Sequence, residues 1–288
     1  MADAPRFATE LPSVNYLLIG HLSEDATPEG PTLGGTVAYA GLTAHALGRK
    51  VGLVTAAADG LDLEQVQALT VWRKSVPAST SFENRYTPGG RVQTLRSRAT
   101  DLELADVPES WRAAQIVHMA PIACEIPTDL AGAFSESFVG ITPQGSMRTW
   151  DSTGRVRLRS WEAVGDLLPV ADAVVLSIED LGMERSAAEA MAARCKTLVV
   201  TEGPRGATVY HAQRSELIPA TPAPEVDPTG AGDIFAAVFF IRFQATGDPW
   251  EAAGLANQIA AKSVSRPGLS GAPTPAEARA VLQAAGDR

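Results

Sequence analysis

Short runs of Val, Ile and Leu alternate with longer helix-forming segments along most of this 288-residue chain. The apolar runs lack polar alternation, which is typical of strands buried on both faces of a parallel sheet. Intervening helices supply the crossovers that parallel pairing requires, so the pattern predicts an α/β fold with a mostly parallel central sheet. The predicted strands are 16–19, 51–55, 116–119, 138–142, 173–176 and 197–201, and the predicted helices are 36–47, 63–69, 129–134 and 187–193.

Two polar segments interrupt this alternation, at residues 20–35 and 79–98. The second contains two strand-like stretches around the turn-forming sequence Thr87-Pro88-Gly89-Gly90, which predicts a hairpin outside the main core. The chain shows no internal repeat and no low-complexity linker, so we expect residues 1–288 to form a single domain.

Composition narrows the classes of partner. With 24 basic and 33 acidic residues the formal charge is −9, which disfavours binding to nucleic acid or to an anionic membrane surface. The apolar runs fall short of the ~20 residues that a membrane-spanning helix needs, and the start of the chain lacks the features of a signal peptide. We therefore expect a cytoplasmic protein. The two cysteines lie outside CxxC or CxxH patterns, so neither a disulfide framework nor a zinc site is predicted.

The segment 227–233, Asp-Pro-Thr-Gly-Ala-Gly-Asp, precedes an apolar run that predicts a buried helix. Small residues at 230–232 let backbone N–H groups approach an anion, and the helix dipole attracts negative charge to the same place. A carboxylate beside that site, Asp233, is suited to accept a proton from a hydroxyl that attacks a phosphoryl group. The alternative for Asp233 is an ordinary helix start with an acidic first turn.

This segment resembles the C-terminal signature of the PfkB family of carbohydrate kinases, although the family usually has Thr where Pro228 stands. The resemblance implies a ribokinase-like, three-layer α/β/α fold with a small β lid, which we expect to be built from the segments near 20–35 and 79–98. It also implies that Asp233 is the catalytic base and that the anion hole is formed by Gly230, Ala231 and Gly232. In several members the positions of Asp227 and Thr229 help bind a monovalent cation, so a role for K⁺ stays open.

A second stretch, 33–40, resembles the N-terminal signature of the same family, in which two glycines border the sugar; these are Gly34 and Gly35 here. Tyr39 stands where that signature commonly has Asn, which argues against ribose-type or fructose-phosphate acceptors. Asp25 lies where the family places a carboxylate for sugar hydroxyls, and a carboxylate accepts strong hydrogen bonds from adjacent hydroxyls. Arg148, in the segment 144–148, matches an arginine that approaches the substrate or the transferred phosphoryl group.

The nucleotide side is also assigned by resemblance. The strand 197–201 runs into a loop like the one that follows ATP phosphates and ribose, and its matching residues are Thr201, Gly203, Arg205 and Gly206. Ser177 and Asp180 fall at the ends of the family's Asn-x-x-Glu motif, whose end residues are not retained. Asp180 still provides a carboxylate that can reach Mg²⁺ through water. Asn257 lies in a small-residue helix that flanks adenine in relatives.

Together these features predict an ATP- and Mg²⁺-dependent phosphotransferase that acts on a hydroxyl of a small sugar or cyclitol, as a monomer or homodimer. The short lead-in from Asp25 to Gly34, the Asp-Pro-Thr start and Ser177 most resemble myo-inositol kinases. A nucleoside or other sugar kinase of the same family is the alternative. A catalytically silent sugar- or nucleotide-binding regulator on the same fold also stays open, because a fold does not determine a function. A P-loop kinase is disfavoured because the chain lacks G-x-x-x-x-G-K-[ST].

Overall fold

A computed structural model describes residues 11–27, 30–87 and 90–286. The strands in chain order are β1 (Tyr16–Ile19), β2 (Ser23–Thr27), β3 (Gly30–Gly34), β4 (Val51–Ala57), β5 (Thr70–Ser75), β6 (Ser81–Thr87), β7 (Gly90–Ser97), β8 (Ile116–Met119), β9 (Phe138–Ile141), β10 (Arg148–Trp150), β11 (Val156–Leu158), β12 (Ala173–Ser177), β13 (Thr197–Thr201), β14 (Gly206–His211) and β15 (Arg214–Pro219). The α-helices are α1 (Thr36–Ala46), α2 (Arg185–Ala192), α3 (Ala231–Thr246), α4 (Pro249–Ser263) and α5 (Pro275–Ala284).

The central sheet has nine strands in the order β15-β14-β13-β12-β9-β8-β1-β4-β5. The seven strands from β13 to β5 pair in parallel, and β14 and β15 add an antiparallel edge. Successive side chains of β1 enter opposite cores: Tyr16 and Leu18 pack on the side of α1 and α3, and Leu17 and Ile19 pack on the side of α2. Burial on both faces explains the apolar runs and confirms the predicted α/β/α layering.

Two of the predicted helices are shorter and tighter than expected. Residues 63–69 contain only the 3₁₀ turn Glu64–Val66, and the predicted helix 129–134 is the 3₁₀ turn Leu130–Phe134. Their apolar side chains, such as Val66 and Phe134, are buried against the sheet all the same. The hydrophobic spacing therefore identified the buried positions, but it did not distinguish one tight turn from an α-helix.

Strands from the two polar segments form a separate four-stranded sheet in the order β3-β2-β6-β7. This sheet, called the lid below, confirms the small β lid that the family resemblance implied. Leu22, at the start of the first segment, nevertheless packs in the main core. The β6–β7 hairpin is antiparallel, and Asn84 pairs with Gln93 across it. Residues 88–89 of the predicted turn lie outside the described residues.

Within the described ranges, none of the helices combines the length and apolar character needed to cross a membrane.

Candidate active site

A cleft of about 1740 Å³ lies between the lid and the ends of the central strands. This is the edge at which ligands of open α/β sheets usually bind. Arg205 is absent from the cleft lining, whereas the lining includes all the other residues assigned to the site from the sequence: Asp25, Gly34, Gly35, Tyr39, Arg148, Ser177, Asp180, Thr201, Gly203, Gly206, Asp227, Thr229, Gly230, Ala231, Gly232, Asp233 and Asn257.

The two signature segments, almost 200 residues apart in the chain, meet where α1 and α3 begin. Gly35 caps α1 with φ 93° and Gly230 caps α3 with φ 79°, and both conformations favour glycine. The ring of Tyr39 packs against Gly230 so closely that a Cβ there would lie 2.2 Å from Cδ1 of the ring. Tyr39 is only 5% exposed, and one face of its ring is therefore covered by the loop before α3.

Asp233 lies in the first turn of α3 and is half-buried. Burial raises its pKa to about 6, although a hydrogen bond with Thr36 and the charge of Arg148 act in the opposite direction. The nearby carboxylate of Asp180 adds to the rise. A carboxyl group with this pKa is ionised at neutral pH, yet it is more basic than an exposed aspartate, as general-base catalysis requires.

Only some of the backbone N–H groups at the start of α3 donate hydrogen bonds within the protein. The N–H of Ala231 donates to the carbonyl oxygen of Pro228 at 3.2 Å, and its place in the anion hole stays a prediction. Among the residues that the structure describes, the amides of Gly230, Gly232 and Asp233 find no acceptor. A Cβ on Gly232 would touch nothing within 4 Å, so this position opens directly onto the cleft. Unpaired amides at a helix start form a ready site for an anion.

The lid side of the cleft carries polar groups, two of which, Asp25 and Arg85, are charged. Asp25 lies on β2 and faces Gly34, where a Cβ would come within 3.1 Å of its Oδ2 atom. On the β6–β7 hairpin, Gln93 Nε2 donates to Asn84 Oδ1 at 3.1 Å, and both side chains line the cleft. Phe82 adds an apolar surface beside them. Hydrogen-bonding groups and an apolar face together suit a neutral, polyhydroxylated ring.

Arg148 is a buried cation of the cleft. It is only 8% exposed, its Nη1 donates to the carbonyl oxygen of Ile122 at 3.0 Å, and its guanidinium lies 5.6 Å from the centre of the Phe82 ring. Its positive charge favours the ionised forms of both Asp233 and Asp180. Arg148 therefore contacts the lid and compensates part of the negative charge at the centre of the cleft.

Ser177 and Asp180 cap the turn that follows β12. The amide of Glu179 donates to Ser177 Oγ at 3.2 Å, and the amide of Ser177 donates to Asp180 Oδ2 at 3.0 Å. Burial raises the pKa of Asp180, so a nearby cation would stabilise its charged form. The described residues contain no group of three or more metal-binding side chains. This single carboxylate fits a Mg²⁺ ion that is otherwise held by water and phosphate oxygens.

On the nucleotide side, Arg205 lies beside a carboxylate of the protein. Its guanidinium is directed at Glu202, with an N–O distance of 3.6 Å, and its side chain is 60% exposed. Glu202 also accepts hydrogen bonds from Arg185 and Thr208. Binding of the nucleotide by Arg205 stays a prediction, which would require its side chain to turn away from Glu202.

Asn257 and Thr201 also have partners within the protein. The side-chain amide of Asn257 donates to the carbonyl oxygens of Ile218 and Pro219 at 3.0 and 3.1 Å, which holds the end of β15 against α4. The hydroxyl of Thr201 donates to the carbonyl oxygen of Leu176 at 3.4 Å. Both residues still line the cleft.

Asp227 joins two loops beside the cleft. Its Oδ1 accepts from the amide of Thr229 at 2.9 Å, and its Oδ2 accepts from the amide of Gly268 at 2.8 Å. Despite partial burial, the hydrogen bonds from Gly268 and Thr229 lower its pKa. The observed contacts fix the loop that leads to the anion hole. A role of Asp227 and Thr229 in binding K⁺ stays a prediction.

The sequence did not single out Thr36, Phe82, Asn84 or Gln93 as site residues. Thr36 directly follows the glycine pair, but its contact with Asp233 depends on how α1 packs against α3. The three lid residues lie on the inner face of a hairpin, and period-two alternation could have placed Phe82 and Asn84 on one side of β6. Which side faces the cleft depends on the tertiary structure.

Comparisons with known proteins agree with this geometry. Residues 102–277 match the pfkB family of carbohydrate kinases. A cytidine kinase from Thermococcus kodakarensis is 26% identical over 254 residues, which cover 83% of this chain and 91% of that protein.

Solved structures share the fold. A pyrophosphate-dependent kinase of the ribokinase family, complexed with a pyrophosphate analog and myo-inositol, has a TM-score of 0.77 at 21% identity, covering 93% of this chain and 99% of the other. A putative ribokinase II from E. coli, in complex with ATP and Mg²⁺, has a TM-score of 0.69 at 18% identity, covering 94% and 99%. The family match covers well over half of the chain. This chain therefore belongs to the pfkB family of carbohydrate kinases.

Proposed function

We propose that this kinase transfers the γ-phosphoryl group of ATP to a hydroxyl of a neutral, polyhydroxylated acceptor, of which myo-inositol is the leading candidate. The observation that carries the proposal is Asp233, a half-buried carboxyl group with a raised pKa, located between unpaired helix-terminal amides and the polar inner face of the lid. A protein that only bound sugars would have no need for a base at this position.

The catalytic step follows from these groups. Asp233 accepts the proton of the attacking hydroxyl, and Thr36 holds the carboxylate in place by a hydrogen bond. The amides of Gly232 and Asp233 stabilise negative charge on the phosphoryl oxygens, with the dipole of α3 aligned behind them. Asp180 would hold Mg²⁺ through water, and the bound ion neutralises charge on the phosphate oxygens. Arg148 favours the ionised forms of Asp180 and Asp233, so Asp233 is able to accept the proton.

Charge in the cleft favours an acceptor without phosphate. Asp25 lies on the lid side, and Asp180 and Asp233 lie at the centre with the buried cation Arg148. The exposed Arg85 of the lid also lines the cleft, but its charge is paired with Glu83. A phosphorylated sugar would bring further negative charge next to these carboxylates. A cyclitol offers adjacent hydroxyls that donate to Asp25 and accept from the amide of Asn84.

ATP fits the donor side better than pyrophosphate. This part of the cleft is lined by small apolar residues, which suit the flat face of a base: Ala220, Ala223, Ala260, Ala261 and Val264. Pyrophosphate has no base to place there, and it would need cations, whereas Arg205 is directed at Glu202. Both donors have to be considered, because a kinase with the same fold and 21% sequence identity is pyrophosphate-dependent.

A nucleoside kinase is the second candidate, because the cytidine kinase relative covers 83% of this chain. The test is a matrix of initial rates with Mg-ATP or Mg-pyrophosphate as donor and myo-inositol, ribose, cytidine or fructose 6-phosphate as acceptor. The highest kcat/KM is expected for Mg-ATP with myo-inositol. A preference for cytidine would select the second candidate, and a preference for pyrophosphate would refute the donor assignment. Replacing KCl with choline chloride in the same assay tests the K⁺ prediction.

A further inference from the structure

The lid joins the central sheet at a compact set of hydrogen-bonded residues, which we call the lid root: the buried side chains of His21 and Thr80 and the backbone of Ala99 and Thr100. His21 lies between β1 and β2, Thr80 immediately precedes β6, and Ala99 and Thr100 follow β7. Three of the chain segments that connect the lid to the central sheet therefore meet here. His21 and Thr80 are both fully buried, so solvent cannot replace hydrogen bonds that they lose.

The hydrogen bonds of the lid root define one arrangement of protons. His21 Nε2 lies 2.9 Å from the carbonyl oxygen of Thr100, so this nitrogen carries the hydrogen. His21 Nδ1 then accepts from the hydroxyl of Thr80 at 2.8 Å, and the same hydroxyl oxygen accepts from the amide of Ala99 at 3.0 Å. A single hydroxyl group therefore connects all three segments.

A buried carboxylate links the lid root to the loop after β8. Glu125 is fully buried, and its Oε1 accepts from the amide of His21 at 3.0 Å. The carboxylate also accepts from the amide of Ile122 at 2.9 Å and from the amide of Ala123 at 2.7 Å. Three backbone donors compensate for the burial of its charge, and they come from two separate segments of the chain.

The same loop holds the cation of the cleft. The carbonyl oxygen of Ile122 accepts from Arg148, whose guanidinium lies over the Phe82 ring of the lid. The loop also packs tightly on the segment before Arg148, because a Cβ on Gly145 would lie 2.3 Å from the Cα of Ile122. A shift of Ile122 would therefore move Arg148 relative to the centre of the cleft.

We propose that Thr80 and Glu125 are positioning residues for phosphoryl transfer. They hold the lid and Arg148 in fixed positions relative to each other, although neither residue lines the cleft. The proposal rests on the assignment of the cleft as the phosphotransfer site. Loss of the Thr80 hydroxyl separates His21 from the two lid segments, and loss of the Glu125 carboxylate separates His21 from Ile122 and Arg148. Either loss weakens acceptor binding and lowers turnover. The donor side, formed by residues near β12, β13 and α4, keeps its geometry.

The test compares Thr80→Val, which keeps the shape but removes the hydroxyl, with Thr80→Ser, which keeps the hydroxyl. With Mg-ATP and the best acceptor of the rate matrix, Thr80→Val should raise the acceptor KM about tenfold and leave the KM for ATP within about twofold, as expected when buried groups lose a partner. Thr80→Ser should restore the wild-type values. Ser137→Ala is the control, because it removes a buried hydroxyl bonded to the carbonyl oxygen of Ala114 in the main core.

Hydrogen exchange without any ligand gives a readout that does not depend on the acceptor. In Thr80→Val, amides of segments 79–85 and 92–99 should exchange at least about fivefold faster than in Thr80→Ser, because the hydroxyl no longer holds them together. In the wild type, the amides of Ile122 and Ala123 should be as protected as those of β8.

Wild-type kinetics in Thr80→Val together with unchanged lid exchange would overturn the proposal. Rapid exchange of Ile122 and Ala123 in the wild type would overturn it even if no variant folds. Should the wild type transfer no phosphoryl group to any acceptor, the proposed function fails, and the exchange measurements still decide the role of the lid root.

Discussion

Replacing Asp233 by Asn should slow the enzyme and stabilise its fold at the same time. Asn keeps the shape of the side chain but cannot accept the proton, so kcat should fall about 10²- to 10⁴-fold. Burial raises the pKa of Asp233 from the ordinary value of 3.8 to about 6. This shift of about two units corresponds to roughly 3 kcal/mol at most, because one unit is about 1.4 kcal/mol. The side chain is half-buried, so solvent screening reduces the expected gain to about 1–2 kcal/mol.

The gain in folding stability of Asp233→Asn over the wild type should increase with pH. Above pH 6 the carboxyl group is charged in both states, and the folded state bears the full penalty. As the pH falls through 6, the folded state takes up the proton first, and the penalty disappears once the pH is below 3.8. The stabilisation by Asn should therefore be largest above about pH 7 and should shrink to about half near pH 5.

Calorimetric melting of the wild type and Asp233→Asn at pH 7.5 and pH 5 measures this difference. At pH 7.5 the variant should melt about 2–8 °C higher, given about 2–4 °C per kcal/mol for chains of this size. Asp166→Asn, at an exposed position, is the control for removal of a charge. A variant that melts below the wild type at pH 7.5 would refute the burial argument. A variant with wild-type kcat would refute the assignment of Asp233 as the base.

Four other substitutions test separate parts of the site. Gly232→Val should fold normally, because its Cβ meets open space, but it should lower kcat by at least about tenfold because the side chain obstructs the anion site. Gly230→Ala should instead lower the melting temperature, because its Cβ would clash with Tyr39. Equal melting temperatures of the two variants would contradict this contrast. Asp25→Ala should raise the acceptor KM about tenfold or more with little change in the KM for ATP, and an unchanged acceptor KM in initial-rate assays would rule out its contact with the acceptor. Arg205→Ala should leave the KM for ATP within about twofold, since this side chain is directed at Glu202; a larger loss would show that it turns into the cleft during binding.

Local patterns predicted the features that depend on neighbouring residues. Strand burial on both faces is visible in the apolar runs, and the anion site at the start of α3 follows from the small residues before an apolar helix. The sequence did not indicate that the Ala231 amide donates to the Pro228 carbonyl, because this bond depends on the dihedral angles of the loop. It also did not indicate that Arg205 lies beside Glu202, because this i,i+3 contact depends on the turn between β13 and β14.

Contacts between distant segments could not be predicted at all. The bond between Thr36 and Asp233 and the packing of Tyr39 on Gly230 both depend on how α1 lies against α3. Each residue by itself looks ordinary in the sequence. The lid root could not be predicted from the sequence either, because single hydrogen bonds there join residues of several distant segments.

The packing of Tyr39 on Gly230 limits how the enzyme can acquire new acceptors. Tyr39 lines the cleft at the end that we assign to the acceptor, and its ring also packs against the loop whose amides we propose to bind the phosphoryl group. A smaller side chain at Tyr39 would enlarge the pocket and remove that support, and a residue larger than glycine at position 230 would displace the ring. Substrate range and catalytic rate are therefore coupled at this contact, and a laboratory selection for a bulkier acceptor should yield paired changes on α1 and in the loop before α3.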